Sequence, residues 1–274
     1  MLTLISFVLP DKSIVLQQID SIIRDLKPIQ LDEAERAKLF DRIDIKYIFH
    51  INYLAEILKS LNGEYRILEV QGIRNQFYRS LYFDSYNYQL YFAHHNGHLN
   101  RYKVRFREYA STRTCFLEIK FKSNQDRTLK KRSVANEIVS KLTDAQELFL
   151  KDNIPYSPLL LEEQTWTNFN RITLIHKEKA ERVTIDTRPQ WIFSGKELFL
   201  STLVIAEVKR DKMAWSSFAN LLRQKHIHEN GFSKYCIGTA LLGPGLKYNL
   251  FKPTLLSIKK ICKNELPDFP STTN

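Results

Sequence analysis

Across residues 99–122, apolar and charged positions alternate with a period of two, twice in succession. Arg101, Lys103, Arg105 and Arg107 share one parity, with Tyr102, Val104 and Phe106 on the other. Glu118, Lys120 and Lys122 then alternate with Cys115, Leu117, Ile119 and Phe121. Successive side chains of a strand point to opposite faces, so the pattern predicts two strands, each cationic on one side and apolar on the other. Similar runs predict strands over 42–49, 77–83, 127–138, 159–166, 170–176, 182–187 and 203–209, with a hairpin tip at 177–180. Helical spacing marks 13–26, which stops before Pro28, and 52–61, which stops at Asn62-Gly63. A short helix opens at Leu31 with acids in its first turn, and further helices are expected over 85–95, 143–150, 215–225, 234–242 and 253–263. The tail after Pro267 reads as loose.

Charged parity recurs in Arg42/Asp44/Lys46, Lys130/Arg132, Arg182/Thr184/Asp186 and Glu207/Lys209. If these strands share one sheet, one face is charged throughout and helices cover the other. Closing that sheet would wrap the charged face around a lumen. The expected fold class is therefore α+β, an antiparallel β-barrel with flanking helices. No linker or repeat interrupts the 274 residues, so residues 1–274 are expected to form a single domain.

A formal charge of +11 is unevenly spread: residues 99–132 hold eleven Lys and Arg against Glu108, Glu118 and Asp126. Like charges in line repel one another, and such an array persists when an anion occupies the space in front of it. One alternating strand is ordinarily a half-solvated sheet face. About five with the same bias, rich in Arg whose planar fork suits phosphate oxygens, point to a phosphate polyanion. Cys115, Cys236 and Cys262 are odd in number and widely spaced, which fits a reducing compartment and argues against a disulfide scaffold or zinc site. The apolar opening at 1–10 is too short for a signal peptide, and no run approaches a membrane span, so a soluble cytoplasmic protein is expected.

Four acids lie among the cations: Asp44, Glu118, Asp186 and Glu207. They either neutralise Lys46, Lys120, Arg182 and Lys209 or help to hold Mg²⁺ or Mn²⁺, which share their shell with water and substrate phosphate. For Glu207 the two roles stand even. Phosphate-loop, dinucleotide, zinc-protease and serine-hydrolase motifs are absent. His94, His95 and His98 are assigned to the surface, and Trp166, Trp191 and Trp215 to core or edge positions. Nucleic acid is not the expected partner, since no aromatic-and-basic strand resembles a base-reading surface.

A set of short motifs falls in order along the chain: Arg42-x-Asp-x-Lys-Tyr47, Ser80-Leu-Tyr-Phe-Asp84, Arg101-x-Lys-Val-Arg-x-Arg107, Leu117-Glu-Ile-Lys-x-Lys122, Lys130-x-Arg132, Asn170-Arg171, Arg182-Val-Thr-Ile-Asp186, Glu207-Val-Lys209 and Ser233-Lys-Tyr235. Together they resemble the catalytic domain of the vacuolar transporter chaperone (VTC) polyphosphate polymerases, of the triphosphate tunnel metalloenzymes, in a stand-alone bacterial form. The resemblance covers about residues 31–242, leaving the N-terminal and C-terminal helices as additions. It implies a barrel with a basic lumen in which Lys46, Arg105, Arg107, Lys120, Lys122, Lys130, Arg132, Arg171, Arg182, Lys209, Ser233 and Lys234 bind phosphates. It further implies that Arg105, Arg107, Lys120 and Glu207 serve catalysis, with Glu207 as the carboxylate for Mn²⁺ or Mg²⁺.

The implied substrates are ATP or another triphosphate and polyphosphate, and a membrane-protein partner for the product is compatible with the resemblance. Arg42 and Asp44 stand where many tunnel enzymes carry Glu-x-Glu, which favours the polymerase branch over a two-metal hydrolase. No inositol-phosphate-sensing SPX domain accompanies the motifs. Three readings stay open: an ATP-dependent polyphosphate polymerase, a tripolyphosphatase or nucleoside triphosphatase on the same scaffold, and a non-enzymatic polyanion-binding module.

Overall fold

The computed structural model describes residues 12–36, 42–125, 128–263, 265–266 and 269. The apolar opening at 1–10, Asp126, most of the tail and the side chain of Arg42 lie outside them. The strands are β1 (Pro28–Ile29), β2 (Arg42–His50), β3 (Tyr65–Leu68), β4 (Asn75–Ser85), β5 (Arg101–Tyr109), β6 (Thr114–Lys122), β7 (Thr128–Ala135), β8 (Leu161–His176), β9 (Glu181–Phe193), β10 (Lys196–Phe199) and β11 (Leu203–Asp211). The helices are α1 (Lys12–Asp25), α2 (Leu31–Arg36), α3 (Leu54–Leu61), α4 (Gln89–His95), α5 (Asp144–Lys151), α6 (Ser217–Gln224), α7 (Lys234–Leu242) and α8 (Lys252–Ile261).

Eight strands form an antiparallel path in the order β2-β11-β9-β8-β4-β5-β6-β7. Off this path, β10 pairs with the last residues of β9, while β3 joins β8 and takes β1 as a parallel neighbour. Segments 159–166 and 170–176, expected as two strands, are one: β8 runs through with a bulge between Asn168 and Asn170. The bulge absorbs the break in alternation that made the sequence read as two pieces.

The expected α+β fold, an antiparallel sheet with flanking helices, is what the structure shows, the sheet being rolled but not closed into a barrel among the described residues. Among the described residues β2 and β7 end the path without pairing to each other. Yet Lys120 on β6 lies within electrostatic reach of Lys46 on β2 and of Glu207 and Lys209 on β11, so the two ends face one another. β7 exposes Lys130, Lys131 and Arg132, and such charge on an edge opposes further pairing.

The apolar parity faces outward and is covered by helices, as expected. α1, α3 and α6 pack on Phe49, Ile172, Leu174, Val183, Ile185, Val204, Ala206 and Val208. Leu90 of α4 and Leu150 of α5 pack with Leu81, Phe83, Val104, Phe106, Leu117 and Ile119. α7 departs from this plan. It is apolar all round, with Tyr235 through Leu242 buried, as befits a helix enclosed on every side. It lies on the polar parity, where Trp191, registered with Thr167 and so with the Ser80 side of β4, receives it. A Cβ on Gly238 would stand 2.1 Å from the Trp191 ring, so only glycine permits this approach. The Trp191 indole N–H donates to the Lys234 carbonyl at 2.8 Å. The interior is thus cationic over one part and apolar over the part α7 fills, with Ile48, Ile205, Phe232, Ile237 and Leu241 around Trp191.

Candidate functional site

Register determines which side chains share the concave face. Glu207 lies opposite Lys46 on one side and Thr184 on the other. Asp186 lies opposite Arg171, Ser80 opposite Arg107, and Tyr82 opposite Arg105. Arg105 then faces Glu118, which faces Arg132, while Lys103, Lys120 and Lys130 form the next row across β5, β6 and β7. Arg101 and Lys122 form the row beyond. The hairpin register thus turns three separate alternations into one continuous cationic surface.

Glu118, Asp186 and Asp44 pair across strands, whereas Glu207 pairs most closely with Lys209 of its own strand, as expected. Glu118, only 1% exposed, receives the Arg105 Nε and Nη2 protons at 2.9 and 2.7 Å, lies 4.0 Å from Arg107 and pairs with Lys130. Asp186 is bidentate with Arg171 at 2.6 and 2.8 Å and also accepts from Lys234. Asp44 pairs with Lys209 at 2.7 Å, and Glu207 lies 3.0 Å from Lys209 and 3.9 Å from Lys46. The expected pairings of Glu118 with Lys120 and of Asp186 with Arg182 are corrected: Glu118 goes to Arg105 and Lys130, and Asp186 to Arg171 and Lys234. Directly opposed residues on neighbouring strands approach more closely than residues two apart on one strand, so the cross-strand arginines take the carboxylates. Arg182 instead donates to the Ala34 carbonyl at 2.5 Å, at the α2 side of the roll.

Burial and crowding shape the charges. Burial raises the Glu118 carboxyl, but Arg105, Arg107 and Lys130 outweigh it and bring its pKa to about 2. Burial likewise opposes ionisation of Asp186 and Glu207, and their cationic neighbours hold both below the usual carboxylate range. Lys120 has no such clamp: burial and then Lys46 lower its pKa to about 7, against the pull of Glu207. Burial lowers Lys103 and Lys234 as well.

The remaining expected residues fall on or beside this face. Ser233 caps α7, accepting from Cys236 N and from Lys103 Nζ at 2.9 Å. Lys234 stands 4.3 Å above the Phe169 ring. Arg132 and Lys130 are exposed at the β7 edge, with the Arg132 guanidinium 4.8 Å from the Phe116 ring centre. Lys122 is half-buried at the far row. Lys103 belongs to the face equally and was left out of the expected phosphate set, although its parity with Arg105 already placed it there. Arg101 and Tyr82 are likewise outside the expected set, and Glu118, expected beside Lys120, serves Arg105 instead; the last two roles depend on register.

The assignment of His95 to the surface is also corrected. It is 2% exposed, accepts from Leu250 N at 3.2 Å and meets the Phe251 ring edge-on. His94, half-buried, has its pKa lowered to about 2 by burial and then by Lys103 and Arg101. A cavity of about 810 Å³ lies elsewhere, between His50–Tyr53, residues 225–230 and the end of α8, and carries none of the cationic face.

Among the described residues no cluster of three or more His, Cys, Asp or Glu is gathered to hold an ion. Glu207 is a single carboxylate bordered by Lys46 and Lys209. The donor set fits a hard cation shared with substrate phosphates and does not fit one held by protein alone.

The fold is a rolled antiparallel sheet whose concave face is lined by arginine and lysine. The chain belongs to the VTC domain family, whose model matches residues 41–243. No curated protein matches it. Among solved structures it is similar to HpAC1 from Hippeastrum, described with a dominant triphosphatase activity (14% identity, 72% of this chain and 94% of that chain, TM-score 0.43). It is also similar to the PH1819 protein of Pyrococcus horikoshii (12% identity, 68% and 92%, TM-score 0.38) and to the RNA triphosphatase Pct1 of S. pombe (10% identity, 96% and 94%, TM-score 0.28). Among the described residues no helix is long and apolar enough to cross a membrane.

Proposed function

We propose that the protein extends polyphosphate, transferring the γ-phosphoryl group of ATP to the end of a growing chain held on the concave face. The observation that carries this reading is the uninterrupted row system of Arg101, Lys103, Arg105, Arg107, Lys120 and Lys122, inside which every acid is already matched to a cation. Phosphoryl transfer asks chiefly for positioning and charge neutralisation. Arg105, Arg107, Lys120 and Arg171 supply donors to the phosphates, with Lys46, Lys103, Lys209, Ser233 and Lys234 around them. Lys122, Lys130, Arg132 and Arg182 stand further along the chain's course. Mn²⁺ or Mg²⁺, held by Glu207 together with phosphate oxygens, would add positive charge beside the transferring group.

In the reaction the terminal phosphate oxygen of the chain forms a new P–O bond to the γ-phosphorus, the bond to the β-phosphate oxygen breaks, and ADP leaves. The acceptor is already anionic and needs no proton removed. Attack by water would benefit from a proton acceptor, and Glu118, Asp186 and Glu207 are all weak bases under their cations. Among the carboxylates, then, none is a base suited to activating water, which favours transfer over hydrolysis. Incubating the purified protein with ATP and Mn²⁺ or Mg²⁺ should give long chains on a polyacrylamide gel, abolished by EDTA. Orthophosphate without chains would identify a hydrolase, and metal-independent binding without turnover a polyanion-binding module.

A further inference from the structure

The motif Ser80-Leu-Tyr-Phe-Asp84 contributes no cation to the site, yet its alternate residues all lie on the concave parity of β4. Ser80 Oγ accepts from Arg107 Nε at 3.3 Å, and Tyr82 Oη accepts from Arg105 Nη1 at 2.8 Å. Tyr82 is 5% exposed and stacks on Tyr235 with ring centres 5.1 Å apart and planes at 21°. The Tyr235 hydroxyl donates to Asp84 at 2.5 Å. Asp84, fully buried, also receives the Ser85, Leu90 and Tyr91 amide protons, so it is anchored by the start of α4.

We propose that Tyr82 is a positioning residue for phosphate recognition. Its hydroxyl and Glu118 grip the Arg105 guanidinium from opposite sides and aim the remaining N–H groups at the ligand. This rests on the phosphate-binding reading of the same face. A guanidinium has five N–H donors. Three are spent on Glu118 and Tyr82, leaving one on Nη1 and one on Nη2 in a fixed plane. Without the hydroxyl, Glu118 still holds the Nε and Nη2 edge, but Nη1 loses its stop and the fork is free to tilt. Tyr235 and Asp84 serve by keeping the Tyr82 ring in place.

The test is tripolyphosphate binding by calorimetry with wild type, Tyr82→Phe, Tyr235→Phe and Tyr78→Phe. Tyr82→Phe keeps the ring stack and loses one hydrogen bond to a charged donor, so affinity should fall roughly 3- to 10-fold while the circular-dichroism spectrum of the unliganded protein holds. Tyr235→Phe should weaken binding in the same direction, by less. Tyr78 lies on the same face, with the Arg107 and Arg171 guanidinium carbons over its ring, so Tyr78→Phe should bind as wild type does. In turnover the Tyr82→Phe loss should fall on KM for ATP, with kcat nearly unchanged. Unchanged affinity in Tyr82→Phe, an equal loss in Tyr78→Phe, or a fall confined to kcat overturns the positioning role alone. A wild type that does not bind tripolyphosphate overturns the phosphate-binding reading, and the positioning role with it.

Discussion

Replacing Glu118 by Gln removes the one carboxylate that Arg105, Arg107 and Lys130 share, and the size of the effect follows from its titration. In the folded protein its pKa is about 2, against 4.5 for a free glutamate side chain. A gap of about 2.5 units corresponds to about 3 kcal/mol of stability at pH 7. The sign is fixed by the direction of the shift. A carboxyl whose folded pKa is depressed contributes fully above its unfolded value and loses that contribution as pH falls toward the folded one. At pH 3, between the two, linkage leaves about 1.5 kcal/mol.

Urea denaturation of wild type and Glu118→Gln should therefore give a stability difference that shrinks by about half between pH 7 and pH 3. Tripolyphosphate, which brings its own negative charge to the same cations, should stabilise the variant more than wild type at pH 7. A difference that stays constant with pH would show that Glu118 acts through packing alone, and would remove the electrostatic account of the arginine cluster.

Two further outcomes test the same physics. With its pKa near 7, Lys120 is largely neutral at pH 8 in the free protein, and a bound polyanion should restore its charge. Calorimetry in buffers of different ionisation enthalpy should therefore show more protons taken up on tripolyphosphate binding by wild type than by Lys120→Met at pH 8, and a much smaller difference at pH 6. Gly238→Ala places a methyl 2.1 Å from the Trp191 ring and should lower stability by about 1–3 kcal/mol in chemical denaturation. It should also weaken tripolyphosphate binding, because Ser233 and Lys234 ride on α7.

The legible parts of this protein are those governed by local periodicity. Strict alternation along Arg101–Tyr109 and Thr114–Lys122 gave both the strands and the faces their cations occupy. Where alternation fails, so did the reading. The bulge makes β8 read as two strands, the pattern of β9 ends before Pro189 though the strand continues to Phe193, and β3 and β10, four residues each, are too short to show a period. His95 looked like a surface residue because its partners, Leu250 and Phe251, lie some 155 residues away in sequence.

The chain's own order of residues determined that several strands would each carry phosphate-seeking cations on one side, because side-chain direction along a strand is a matter of parity. It could not decide how those strands would be laid beside one another. Register assigned Glu118 to Arg105 and Asp186 to Arg171, and so separated the clamped arginines from the unclamped Lys120. Long-range packing alone sent the apolar helix α7 to the polar side of the sheet, where a glycine could meet Trp191. It also left the path open at β2 and β7 among the described residues, with Lys46 on β2 within electrostatic reach of Lys120 on β6.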